Sequence, residues 1–105
     1  MAVIDYTAVN EYPYIKRIAI TENAQKFILP IGATKVTFGS VESLYFTNIG
    51  EDGDSFGSTI QDFCFVPANN LFTIHLETGR QANREILVAV QSGSGYMSII
   101  VEKDK

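Results

Sequence analysis

Short runs of alternating apolar and polar residues follow one another along most of this chain, and glycine, proline or asparagine separates them. A period of two residues is typical of a β-strand with one buried face. The pattern predicts eight strands, at residues 15–20, 25–29, 34–38, 44–49, 61–66, 71–76, 86–90 and 96–102. The longest helical candidate lies around residues 77–84, and Gly79 weakens it, because glycine disfavours a helix interior.

Two of the predicted strands also indicate which side chains face the core. In the strand at 71–76, the alternation places Phe72, Ile74 and Leu76 inward. The strand at 86–90 is apolar throughout, which is the pattern of a strand that is covered on both faces. Eight strands at regular spacing with turns between them predict an all-β, antiparallel β-sandwich. The count of eight favours a jelly roll.

The N-terminal segment has no clean period, and Pro13 biases the residue before it toward extended geometry. Residues 1–14 are therefore interpreted as an extended N-terminal arm, and residues 15–105 as the sandwich domain. A strand or coil packed on its own domain remains an equal alternative for the arm. Tyr6, Tyr12 and Tyr14 are its candidate partner-binding residues, because aromatic side chains are enriched in protein interfaces.

Length and composition agree with a single folded domain. The chain has 105 residues, of which 46% are hydrophobic and 19% charged, and this is the range of globular proteins. No apolar run approaches the 18 residues of a membrane span, and the first residues lack the pattern of a signal peptide. The sequence therefore predicts a protein that is made in a cytoplasm and has no membrane partner.

Charge is distributed unevenly along the chain, which has a net charge of −4. No lysine or arginine occurs between Val36 and Gly79, and six acidic residues lie in that stretch. A nucleic-acid interface needs clustered basic residues against the phosphates. The pattern therefore excludes nucleic acid as the expected partner. It is compatible with binding to a partner protein that has a basic surface, or with a role in solubility alone.

The acidic run Glu51-Asp52-Gly53-Asp54 is the sharpest local feature. Alternating carboxylate oxygens around a glycine can hold a hard cation such as calcium. The ligands that complete an EF-hand are absent, and an acidic surface turn explains the same residues. Glu51, Asp52 and Asp54 are therefore kept as a candidate cation-binding loop, while no metal or other cofactor is predicted.

The residues that could carry catalysis do not form a recognisable set. Cys64 lies among apolar neighbours and is predicted to be a buried or half-buried strand residue. His75 is the single histidine, and it is predicted to face outward on its strand. Gly93-Ser94-Gly95 lacks the lysine of a phosphate-binding loop, so a hairpin turn is the better interpretation. We therefore expect a protein without enzymatic activity.

Three segments together resemble the small β-sandwich cement or decoration proteins of tailed bacteriophages. They are FILPIGATKV at 27–36, FVPA at 65–68, and ILVAVQSGSG at 86–95. These are strand–turn–strand features, and the resemblance extends over about residues 15–102. It carries no catalytic motif.

The resemblance implies a jelly-roll fold and a non-enzymatic structural protein of the virion. It also implies a homotrimer on the outer capsid surface that binds the major capsid protein and is assembled in the host cytoplasm. A receptor- or glycan-binding module of a phage tail is the alternative. A metal-dependent jelly-roll enzyme is a third reading, which the single histidine disfavours because such sites need clustered ligands.

Overall fold

Nine β-strands in two packed sheets account for the regular structure in residues 2–47, 55–76 and 85–103, which are the parts that the computed structural model describes. The strands are β1 (Ala2–Asp5), β2 (Tyr14–Thr21), β3 (Gln25–Ile28), β4 (Lys35–Ser40), β5 (Leu44–Thr47), β6 (Cys64–Val66), β7 (Asn70–His75), β8 (Glu85–Val90) and β9 (Ser94–Glu102). The predicted all-β sandwich is confirmed, and each of the eight predicted strands is present. These parts of the chain contain no helix that could cross a membrane.

The two sheets are built from strands that are distant in sequence. Sheet A has the order β1-β3-β8-β5-β6, and sheet B has the order β2-β9-β4-β7. Four antiparallel pairs are nested inside one another: β2 with β9, β3 with β8, β4 with β7, and β5 with β6. β1 is added in parallel at the edge of sheet A, beside β3.

Alternate residues of both sheets point into one main core. Its largest fully buried side chains include Phe27 from sheet A and Phe38, Met97 and Ile99 from sheet B. Apolar burial of this kind is the main favourable term in folding, at roughly 25 cal/mol per Å². The core therefore follows from the two-residue period that the sequence shows.

β8 is apolar on both faces, and the structure covers both, as its sequence predicts. Val88 and its alternate neighbours lie in the main core. Leu87 points the other way and packs with Ala24 and Ile60 in a second buried cluster on the outer side of sheet A. The chain between residues 55 and 63 thus lies over the outer face of sheet A.

The N-terminal segment is part of the sandwich, and the division into an arm and a domain needs correction. β1 pairs with β3, and the Tyr6 N–H donates to the Ile28 carbonyl at 2.8 Å. Tyr6 is buried, and Ile4 and Val9 pack against the main core. The physical reason is that the edge of β3 offers free backbone groups, which the N-terminal residues satisfy. The proposed boundary at residue 14 falls at the first residue of β2.

The turn after β8 also differs from its prediction. Gly93 lies between β8 and β9, and these strands belong to different sheets, so the turn is a crossover and not a hairpin. Gly93 has a φ of 77°, a backbone conformation that glycine adopts without strain. Its N–H donates to Oε2 of Glu22 at 2.7 Å, and its carbonyl accepts from the Glu22 N–H at 3.1 Å. These bonds tie the crossover to the end of β2.

The packing of β1 generates a prediction that two neighbouring residues can test. Ile4 is half-buried against the core, whereas Val3 is 56% exposed. We expect Ile4→Ala to lower the free energy of unfolding by about 1–2 kcal/mol, less than the roughly 2–5 kcal/mol of a fully buried site. Val3→Ala should change it by no more than about 0.5 kcal/mol. Urea unfolding checks both values, and equal effects would show that β1 does not pack as described.

Candidate functional site

Four aromatic side chains meet on the outer face of sheet A, at the end where β6 forms its edge. Tyr45 stands opposite Phe65 across the β5–β6 pair. Its ring centroid lies 4.9 Å from that of Phe63 and 5.8 Å from those of Phe56 and Phe65. Phe56 and Phe63 are themselves 5.3 Å apart, edge to face. We call Tyr45, Phe56, Phe63 and Phe65 the aromatic patch.

A tight loop holds the patch in place. The Ser55 carbonyl accepts hydrogen bonds from the N–H groups of Thr59 and Ile60 at 3.0 and 2.9 Å. Gly57 closes the turn with a φ of 87°, and its N–H donates to the Ile60 carbonyl at 2.8 Å. Ile60 is fully buried against Leu87 of β8. The loop is thereby fixed to sheet A, which sets the positions of Phe56 and Phe63.

The patch exposes an unusual amount of aromatic surface. Phe65 is 49% exposed and Phe63 is 36% exposed, although phenylalanine is usually buried. Contiguous apolar patches on a soluble protein mark sites of interaction with another molecule. Aromatic residues are also among those enriched in protein interfaces. The arrangement is therefore that of a contact surface.

An open depression of about 480 Å³ adjoins the patch. It is lined by Phe46, Thr47, Gln61, Asp62, Phe63 and Cys64. Cys64 is exposed, so its predicted burial is wrong. The reason is its position on β6, a three-residue strand at the edge of sheet A, where its apolar sequence neighbours do not cover it.

Within the described segment 55–66, the charge beside the patch is negative. Asp62 is exposed, and it is the single charged residue in the described segment 55–66. Because lysine and arginine are missing from Val36 to Gly79, no nearby cation in that stretch offsets the carboxylate. A partner that brings a basic or neutral apolar surface is favoured here over an acidic one.

The three predicted partner-binding tyrosines have mainly internal roles. Tyr6 is 7% exposed, and its ring lies 5.3 Å from that of Tyr14 and 6.2 Å from that of Phe27. Tyr12 and Tyr14 are half-buried against the core, and the Tyr12 hydroxyl donates to the Val9 carbonyl at 3.3 Å. Burial of Tyr6 therefore removes it from the predicted contact set, and the other two present only part of their surface.

The remaining candidate residues are described only in part. Glu51, Asp52 and Asp54, the candidate cation loop, lie outside the described residues. Within those residues, no group of three or more histidine, cysteine, aspartate or glutamate side chains could hold a metal ion. His75 is exposed on the outward side of β7, opposite Lys35 of β4, as its sequence position predicts.

Comparison of the chain with protein-family models, with curated proteins and with solved structures finds no match. Function is therefore inferred from the surfaces of the domain.

The burial of Tyr6 generates a prediction about alkaline pH. Burial, and secondarily the neighbouring Tyr14, raises the pKa of Tyr6 from 10.0 to about 12. Between these values the unfolded chain loses the proton and the folded chain keeps it, so stability falls as pH rises from about 10 to about 12. We expect urea unfolding of Tyr6→Phe to depend less on pH across that window than unfolding of the natural chain. The variant retains every other titrating group. If the free energy of unfolding depended on pH to the same degree in both proteins, Tyr6 would ionise as readily in the folded chain as in the unfolded one.

Proposed function

We propose that this chain is a non-enzymatic structural protein that attaches to a larger protein assembly through the aromatic patch. In its most specific form, it is a capsid decoration protein that binds the major capsid protein on the outer surface of a phage virion. The exposed aromatic patch, with the exposed Asp62 beside it, is the observation that carries the first statement. The resemblance in segments 27–36, 65–68 and 86–95 supports the second.

The energetics of the patch suit attachment. A few aromatic residues, packed at the centre of an interface, commonly supply most of its binding free energy, at about 2 kcal/mol or more each. Phe63 and Phe65 have the exposed area to act in this way. Both also contact Tyr45 on the rigid β5 strand, so little side-chain entropy remains to be lost on binding.

We further infer that the sandwich is an eight-stranded jelly roll. The nested pairs β2·β9, β3·β8, β4·β7 and β5·β6 support this inference, because they correspond to one long antiparallel ribbon wrapped into two sheets. β1 is then an addition to that ribbon. Jelly rolls occur in viral capsid proteins and in lectins, so the topology is compatible with both candidate functions.

Binding to capsids tests the proposal. Capsids of the phage that encodes the chain, assembled without it, are mixed with purified protein and sedimented. We expect Phe65→Ser to weaken co-sedimentation at least tenfold, since the loss of an aromatic anchor costs about 2 kcal/mol. Ile31→Ser is the matched control, because Ile31 is 51% exposed in the turn between β3 and β4, away from the patch. It should bind as the natural chain does.

Each variant is first checked for an unchanged melting temperature. Natural-level binding by Phe65→Ser would remove the patch from the proposal. Failure of the natural protein to bind capsids, together with its absence from purified virions by mass spectrometry, would contradict the decoration role itself.

The depression beside the patch favours one alternative, a glycan- or receptor-binding module. Phe63 offers a ring face there, and Gln61 and Asp62 offer polar groups beside it. An open cavity with an apolar wall and a few polar side chains is a common form of ligand site.

A glycan array separates the two functions. The alternative predicts a selective signal that Phe63→Ala abolishes and Ile31→Ala retains, because the ring supplies the apolar wall of the site. The decoration proposal predicts no glycan signal above background. A glycan signal that depends on Phe63, together with undiminished capsid binding by Phe65→Ser, would favour glycan recognition over attachment as the function of this surface.

A further inference from the structure

β7 forms one edge of sheet B, and in the described parts of the chain no strand pairs with its outer side. Leu71 is 69% exposed and Phe72 is 39% exposed, and Thr73 and His75 are exposed as well. The strand contains no lysine, arginine, carboxylate or proline. Edge strands are ordinarily protected by charge, by proline or by shortness, because their unpaired N–H and C=O groups can pair with another chain.

The other edge strands of the two described sheets are better protected. β1 has four residues and β6 has three, so each offers few unpaired groups. β2 is longer, but it carries Lys16 and Arg17, which are residues of the type that prevents edge-to-edge pairing. β7 is therefore the edge that the sequence leaves open.

The hydrogen bonds between β4 and β7 show which backbone groups of β7 are already engaged. The Leu76 N–H donates to the Thr34 carbonyl at 2.8 Å, which continues the antiparallel register of the two strands. In an antiparallel pair, every second residue exchanges hydrogen bonds with the residue opposite. The even-numbered residues of β7 are therefore bonded to β4.

The odd-numbered residues of β7, Leu71, Thr73 and His75, direct their N–H and C=O groups to the open edge. The hydroxyl oxygens of Thr37 and Thr73 lie 2.9 Å apart. This contact agrees with the assignment, because side chains come closest at the pairs that do not exchange backbone hydrogen bonds. A further strand can therefore bond to β7 without any change within sheet B.

We propose that β7 pairs with β7 of a second copy of the chain, antiparallel and about a two-fold axis at Thr73. Thr73 of one copy then lies opposite Thr73 of the other, and Leu71 lies opposite His75 on either side of the axis. Each of these opposite pairs exchanges two hydrogen bonds, so the N–H and C=O groups that β7 directs outward are all satisfied. Every contact away from the axis occurs twice, as a two-fold interface requires.

Thr73 is the centre that pairs all of these groups. A centre at Leu71 would place Asn69 opposite Thr73, and Asn69 has a φ of 64°, which is outside extended geometry. A centre at His75 would carry the pairing past the end of β7. A centre at an even-numbered residue would need backbone groups that are already bonded to β4.

The inward-facing side chains of β7 are complementary in this register. Phe72 lies opposite Ile74 of the other copy, at a pair that does not exchange backbone bonds, where side chains are closest. The Phe72 ring is held 4.7 Å from that of Phe46 and 6.0 Å from that of Phe38. An aromatic residue opposite a β-branched one is a favourable cross-strand pair. A second copy thus covers apolar surface that the open edge of the sandwich exposes.

The lack of charge on β7 favours a second copy over a partner that is recognised by charge. The chain has a net charge of −4, yet no carboxylates lie opposite each other across this axis. Pairing of β7 with its own copy also uses the open edge of both chains, so association stops at two. The contact is one strand pair in extent, below the roughly 1,000 Å² of stable interfaces, so we expect a weak dimer.

Sedimentation equilibrium across a range of protein concentrations tests the proposal. The natural chain should rise from its monomer mass of 11.6 kDa toward twice that mass. Thr73→Lys places two ammonium groups opposite each other at the axis, so it should raise the dimer dissociation constant roughly tenfold. Thr37→Lys is the matched control, because it removes the same hydroxyl contact from β4, one strand away from the axis. It should leave the constant unchanged, as should Phe65→Ser in the attachment site.

Disulfide formation tests the register and does not depend on the stability of Thr73→Lys. Across the axis, the two Cα atoms at position 73 lie about 5.5 Å apart, which is within the range of a disulfide. The two at position 71 are four residues out of step, roughly 13 Å apart, which is too far. In a Cys64→Ser background, we expect Thr73→Cys to oxidise to a covalent dimer at several times the yield of Leu71→Cys. Leu71→Cys mixed with His75→Cys should also cross-link.

Equal yields from Thr73→Cys and Leu71→Cys would overturn the proposal, and so would a natural chain that stays monomeric at every concentration. If that monomer bound capsids and Thr73→Lys weakened the binding, the open edge would belong to a strand of the capsid protein instead. A mass of three chains would also overturn the proposal and would favour the trimer that the family resemblance implies.

Discussion

The double-sided burial of β8 is the constraint on which the rest of the structure depends. β8 is the central strand of sheet A, and its inner side chains form part of the main core between the sheets. On its outer side, Leu87 packs against Ile60 and so holds the 55–60 loop against the sheet. That loop, together with β5 and β6, assembles the aromatic patch. The same apolar strand therefore stabilises the sandwich and positions the candidate contact surface.

The two outer faces of the sandwich differ in ways that match different occupants. The patch on sheet A combines a cluster of aromatic rings with an exposed Asp62, so two copies meeting there would bring like charges together. The face of sheet B holds an ion pair between Lys35 and Glu102 and exposes Ile15, Leu71 and Tyr96.

Local pattern was sufficient to predict the strands and insufficient to predict what covers them. The eight strands follow from alternation within each segment, and the burial of both faces of 86–90 follows from its unbroken apolar run. A packed strand was only one of two equal alternatives for the N-terminal segment, because its partner β3 is distant and the residues up to Pro13 lack a period; the structure shows that alternative. Cys64 was assigned to the interior from its apolar neighbours, but its exposure depends on β6 being an edge strand, which is a property of the whole sheet order. Phe63 and Phe65 lie two residues apart, the spacing of one face of a strand, but the pattern did not single them out. Nothing local indicated that this side would be the open one.

Several polar side chains of the described residues hold the backbone together. The Glu22 carboxylate accepts the Gly93 N–H and so secures the crossover between the sheets. Asp5 accepts hydrogen bonds from the hydroxyl and the N–H of Thr7, and these lower the pKa of its carboxyl group. Lys26 and Glu85 pair between β3 and β8 at 3.4 Å. An active site requires polar groups whose hydrogen-bonding capacity is directed at a substrate, whereas these groups are directed at the chain's own turns and strands. The exposed aromatic side chains, Phe63 and Phe65 among them, are of the type that is enriched in contacts between proteins.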